Sequence, residues 1–162
     1  MIAATAAEPG TRTTSSSGCL VWAFHADFTA YVERLADGRV DVSGGVEPTA
    51  DGRFAFPFDG AEDQRGTGAV HWTGHHGLLA VSLADPAVEQ TDAGAVLTVA
   101  DPFAGPSPRD ERMILADLGE PEETGSGRRY TRPTLTEAGA DLFMDHYPAG
   151  LPLAPLEIED AR

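Results

Sequence analysis

Residues 68–83 read GAVHWTGHHGLLAVSL. Val70 and Trp72 fall on one side of an extended chain and His71 on the other, because strand side chains alternate with period two. Leu79, Val81 and Leu83 repeat that pattern after Gly74–Gly77. Two alternating runs on either side of a glycine-flanked turn read as β-strands. The stretch also holds three of the chain's five histidines, His71, His75 and His76, beside Trp72.

Working outward, the same grammar recurs. Asp51-Gly52 is a hairpin signal between Val40–Val46 and Arg53–Phe58. Phe54, Phe56 and Phe58 alternate with Arg53, Ala55 and Pro57, and Pro57 marks an edge or an interruption. Ala95–Ala100 and Arg112–Leu118 predict two further strands, separated by the Pro/Gly loop Asp101–Asp110. Cys19–Phe24 (CLVWAF) is a short apolar run that reads as a strand. Then, over Ala26–Leu35, the spacing changes: Phe28, Tyr31, Val32 and Leu35 stand at i, i+3, i+4 and i+7, one face of a helix, with Gly38 as its stop. A second short helix is signalled at Thr136, a good N-cap followed by Glu137, while Gly139 limits it or permits close packing. Tyr147–Ile158, with three prolines, is expected to be mostly extended, with His146 and Tyr147 packing the turn before it. Many short strands, frequent turns and two short helices predict a mainly β fold, an antiparallel β-sandwich or flattened barrel.

The 162 residues suit one domain. The expected division is a leader over 1–17, a single domain over 18–158 and a short tail over 159–162. The Ala/Thr/Ser-rich start lacks a basic segment followed by an apolar core, so the chain as written reads as cytoplasmic. Lysine is absent, and 11 Arg stand against 26 acids, a net charge of −15. That balance argues against general nucleic-acid binding and against anionic membrane surfaces. Neither is a stretch of about 18 apolar residues present to span a membrane. The one cysteine, Cys19, excludes an internal disulfide framework and any multi-cysteine zinc site. No phosphate loop, dinucleotide fingerprint, serine elbow or zincin helix is present, and no catalytic residue is assigned. Adjacent His75 and His76 point apart on an extended chain, which disfavours a shared metal.

Three segments together resemble the haem-transport-associated (HtaA) domain of actinobacterial haem-uptake proteins. They are LVWAFHADFTAYV (Leu20–Val32), GTGAVHWTGHHGLL (Gly66–Leu79) and TLTEAGADLFMDHYPAGLPLAPL (Thr134–Leu156). The first carries the family's Leu, Trp and Phe-x-x-Tyr-Val. The second resembles its aromatic-x-Gly-His-x-Gly-x-Leu turn, and the third its Leu-Thr-x-x-Gly-x-x-x-Phe…Tyr-x-x-Gly…Pro-Leu ending. Their order and spacing agree from Gly18 to Leu156. The resemblance implies a β-sandwich-like fold and ferric haem b held by a tyrosine, with a histidine bonded to that oxygen. It also implies exchange with other haem-transfer proteins. Carried over, the iron ligand is Tyr31 and its support His75, and Phe28, Val32 and Trp72 are apolar candidates for the pocket.

The chemistry agrees with that assignment. A free phenol, with a pKa of about 10, is a poor ligand, but ferric iron favours the phenolate. Tyr31 on an apolar helix face also suits plain core packing, and an acidic β-sandwich can be a haem-free protein-interaction module. The two readings differ in geometry: ligation requires the Tyr31 oxygen and a His75 ring nitrogen to meet at an apolar groove.

Overall fold

The computed structural model describes residues 18–58, 65–102, 111–144 and 146–160. The expected leader at 1–17, most of the loop at 101–110 and the end of the tail at 161–162 lie outside the described residues. In chain order the elements are β1 (Cys19–Trp22), α1 (Ala26–Arg34), β2 (Arg39–Ser43), β3 (Glu47–Pro48), β4 (Phe54–Pro57), β5 (Ala69–Gly74) and β6 (Leu79–Ala84). There follow β7 (Ala87–Thr91), β8 (Gly94–Ala100), β9 (Arg112–Asp117), β10 (Glu122–Thr124), β11 (Gly127–Tyr130), β12 (Thr134–Leu135), α2 (Glu137–Leu142) and β13 (Leu156–Glu159).

The strands form three antiparallel sheets that do not close into a barrel, a β-sandwich architecture. One has the order β10-β11-β13-β1-β4-β3, the second β12-β9-β8-β7 and the third β2-β5-β6. Alternation decides which side chains of β4 and β6 enter the core, whereas in β1 Val21 is buried along with its two neighbours. Leu20 and Trp22 of β1, Phe54 and Phe56 of β4, Val70 and Trp72 of β5, and Leu79, Val81 and Leu83 of β6 are all buried. The third sheet pairs β5 with β6, with Val70 facing Leu83 and Trp72 facing Val81 across the ladder. His71 lies on the other face, where its Nδ1 is 2.7 Å from Ser82 Oγ on the neighbouring strand.

One pairing differs from the sequence expectation. The Asp51-Gly52 turn joins β4 to the two-residue β3, not to the 40–46 run. β2 pairs instead with β5, Arg39 opposite Thr73 and Ser43 opposite Ala69. Gly44 (φ 68°) and Gly45 (φ 92°) explain the divergence. Both sit in the left-handed region that glycine enters freely, and the turn they make sends the chain out of one sheet and into another. Pro57 is the last residue of β4 and pairs with Cys19 of β1. β3 covers only Phe54 and Ala55, so the missing N–H of Pro57 falls beyond that pairing.

Both helices are where their sequence signals put them, α1 by its apolar spacing and α2 by its N-cap. α1 packs on β5, and the indole N–H of Trp72 donates to Thr29 Oγ1 at 3.1 Å. α2 is capped by Thr136, whose Oγ1 accepts from the Gly139 N–H at 3.0 Å. A Cβ at Gly139 would stand 2.5 Å from the Leu115 carbonyl oxygen, so this glycine serves close packing on β9. Cys19 is half-buried beside Glu159. Burial first, and then that carboxylate, push its thiol up to about 11, which leaves it protonated and unreactive at neutral pH. Among the described residues, no helix is long and apolar enough to cross a membrane.

Candidate functional site

Tyr31 projects from the last turn and a half of α1 and is 43% exposed, although its helical neighbours Phe28 and Val32 are almost wholly buried. Its Oη lies 2.7 Å from His75 Nε2, a hydrogen bond joining residues 44 apart in sequence. With the phenol intact its O–H donates to an unprotonated Nε2. With the oxygen ionised the same pair reverses, and Nε2–H donates.

His75 reaches Tyr31 because of an unusual turn between β5 and β6. His75 (φ 50°), His76 (φ 55°) and Gly77 (φ 89°) all have left-handed backbone. For the two histidines that conformation costs roughly 1 kcal/mol or more each. Asp37 offsets the cost. Its Oδ1 accepts from the His75 amide at 3.1 Å and its Oδ2 from the His76 amide at 2.6 Å. Successive N–H groups in such a turn form an anion-binding concavity, and here a carboxylate of the same chain fills it. The His76 amide above all holds the Asp37 carboxyl below the usual carboxylate range. The His76 ring projects into solvent, its Nδ1 3.8 Å from Asp37 Oδ2.

Phe28, Tyr31, His146 and Tyr147 line a groove of about 190 Å³. Phe28 and Tyr147 meet edge-on with ring centroids 5.9 Å apart. Tyr147 also stacks on His25 at 5.0 Å. Behind them Phe24 lies flat against Phe143 at 3.8 Å, so the wall has a continuous aromatic backing. Burial, followed by the Asp27 carboxylate and Tyr31, holds the Tyr147 phenol above its ordinary range. It therefore remains a hydrogen-bond donor at neutral pH. Among the described residues, no arginine lines the groove.

The sequence-predicted residues thus divide. Tyr31 and His75 meet, and Phe28 lines the groove. Val32 and Trp72 are buried in the core instead. Trp72 touches Phe28 from behind, with ring centroids 5.5 Å apart. His146 and Tyr147, expected only to pack a turn, form the opposite part of the lining. Their signal was present in the third family-like segment, which contains both. His25 flanks α1 as its N-cap residue without a capping side-chain hydrogen bond. Its Nδ1 is buried with no hydrogen-bond partner. Among the described residues, no group of three or more His, Cys, Asp or Glu could hold a bare metal ion. The chemistry of the site therefore resides in the phenol–imidazole pair and the aromatic wall.

The family model described as Htaa matches residues 17–159. The N-terminal domain of HtaA from Corynebacterium glutamicum has a similar structure, with TM-score 0.63 at 26% identity, covering 91% of this chain and 97% of that one. The haem-binding protein HtaB from the same organism gives TM-score 0.64 at 22% identity, covering 90% and 92%. The C-terminal domain of HtaA gives 0.61 at 20%, covering 90% and 96%. No match was found among curated proteins.

Proposed function

The chain belongs to the HtaA family, and we propose that it is a binding protein for ferric haem b, held through Tyr31 with His75 as support. The observation that carries this reading is the 2.7 Å contact between Tyr31 Oη and His75 Nε2 at an aromatic groove. The donor set fits the group. A phenolate suits ferric iron, and a ring N–H donated to its oxygen fixes the oxygen and offsets part of its charge. A haem-free interaction module would be favoured by Tyr31 and His75 on opposite sides, and that arrangement is not what the chain adopts.

Each residue contributes a distinct function. Tyr31 offers an exposed oxygen, His75 orients it, and Phe28 and Tyr147 supply the aromatic lining of the groove. Burying on the order of 400 Å² of apolar porphyrin surface would contribute roughly 10 kcal/mol before the costs of association. The groove is smaller than the roughly 300 Å³ at the low end of enclosed ligand pockets. One face or edge of the ligand then stays open to solvent, which suits holding and passing on rather than turnover. Other haem-transfer proteins are the partners that this openness favours. Ferrous iron matches a hard phenolate less well, so reduction is expected to loosen the grip.

The test is a titration of hemin into the purified protein, followed by absorbance. Wild type is expected to give the charge-transfer band of a ferric phenolate, and Tyr31→Ala to lose it. An unchanged spectrum in Tyr31→Ala would remove Tyr31 as the ligand.

A further inference from the structure

The β2–β5 ladder sets Arg39 opposite Thr73 and Val40 opposite Trp72. Carried two residues beyond its end, the same register sets Asp37 opposite His75. Asp37 therefore stands between the two halves of the site. It follows α1, which carries Tyr31, and its carboxylate receives both amides of the turn that carries His75. We propose that Asp37 is a positioning residue for the binding site: its two-amide clamp holds the left-handed His75–His76 turn and so sets the His75–Tyr31 hydrogen bond.

This inference rests on the reading of Tyr31 and His75 as the haem site. The clamp has the properties that such a role requires. Both carboxylate oxygens are used, each on a different amide, so the turn is fixed in orientation as well as distance. The residues it restrains have no intrinsic preference for their conformation, since both are non-glycine at positive φ. Asp37 is exposed and its charge faces the His76 ring, so it contributes nothing to the apolar core. Loss of Asp37 leaves the β5–β6 strands paired but frees the turn to relax toward right-handed backbone, which carries the His75 ring away from Tyr31.

The experiment is a double-mutant cycle of Asp37→Ala with His75→Ala on the full chain, with hemin as the probe. Asp37→Ala is expected to raise the hemin off-rate about 10-fold, within the 10–100-fold typical of residues that orient a metal ligand. On the His75→Ala background the same change is expected to add less than about twofold, because the two residues act through one contact. An equal effect on both backgrounds overturns the proposal. The second arm uses haem-free protein, where the Tyr31 ring NMR signals of Asp37→Ala are expected to move toward their positions in His75→Ala. Signals that stay at wild-type positions overturn it as well. Asp37→Asn keeps the side-chain size but loses one acceptor and the charge, and it serves in both arms if the alanine variant fails to fold. Should wild type take up no hemin, the haem reading fails while the haem-free arm still decides the role of Asp37.

Discussion

A single hydrogen bond, Tyr31 Oη to His75 Nε2, separates a surface phenol from a metal-ligand candidate. Truncating His75 removes support but leaves the phenol in place. His75→Ala is therefore expected to weaken hemin binding about 10–100-fold, as measured by competition with a reference haem acceptor, while the phenolate band persists. Tyr31→Phe keeps the ring and loses the oxygen, so it is expected to lose the band with little change in thermal stability. Tyr31 and His75 were legible because they stand in quotable motifs, Phe-x-x-Tyr-Val and Gly-His-x-Gly. Asp37 was not: it is one of 26 acids in no periodic position, and its partners are backbone amides, which carry no sequence signature. Val32 and Trp72 show the opposite limit. Helical and strand periodicity marks an apolar face but does not separate the core behind a groove from the groove itself.

Elements with local signals formed as their residues direct. α1 follows its i, i+3, i+4 spacing, and α2 begins at its N-cap Thr136. That threonine also donates to the Ile114 carbonyl at 2.6 Å, tying the helix start to β9. Thr136→Ala is expected to cost about 1 kcal/mol, within the usual range for a lost N-cap, measurable by urea denaturation. The short ladders β10–β11 and β7–β8 have weaker signals. β10 reads Glu-Glu-Thr, all exposed, and is defined by its partner rather than by alternation. The β2–β5 pairing is a long-range choice, and local patterning is silent on which of two compatible strands a third will join. Only the paired glycines at 44 and 45 hinted that the chain changes direction between β2 and β3.

At the scale of the whole molecule, the acidic balance leaves few cations, and two of them converge on one carboxylate. Arg53 Nη1 donates to Glu157 Oε2 at 2.8 Å, and Arg129 Nε donates to Oε1 at 2.8 Å. These arginines lie on β11 and just before β4, and Glu157 on β13, so the cluster spans the large sheet. The Arg53 hydrogen bond, outweighing the effect of burial, keeps the Glu157 carboxyl below its ordinary range, with Arg129 adding to it. A carboxylate with a lowered folded-state value stabilises the fold above its unfolded pKa of about 4.3, and that stability is lost as pH falls through the folded value. Glu157→Gln is therefore expected to lower the melting temperature at pH 7, with the gap to wild type narrowing below about pH 4. Calorimetry across that range checks it. The strand carrying Glu157 has one more consequence. β13 lies between β1 and β11, pairing with both, although it is the last strand described and β1 the first. A ribosome delivers the chain in order, so the facing rims of those two strands stay bare until residues 156–159 have been translated. Completion of the large sheet thereby waits for β13, and a nascent chain stalled before that strand would offer open β edges to whatever chaperone or sticky neighbour arrives first.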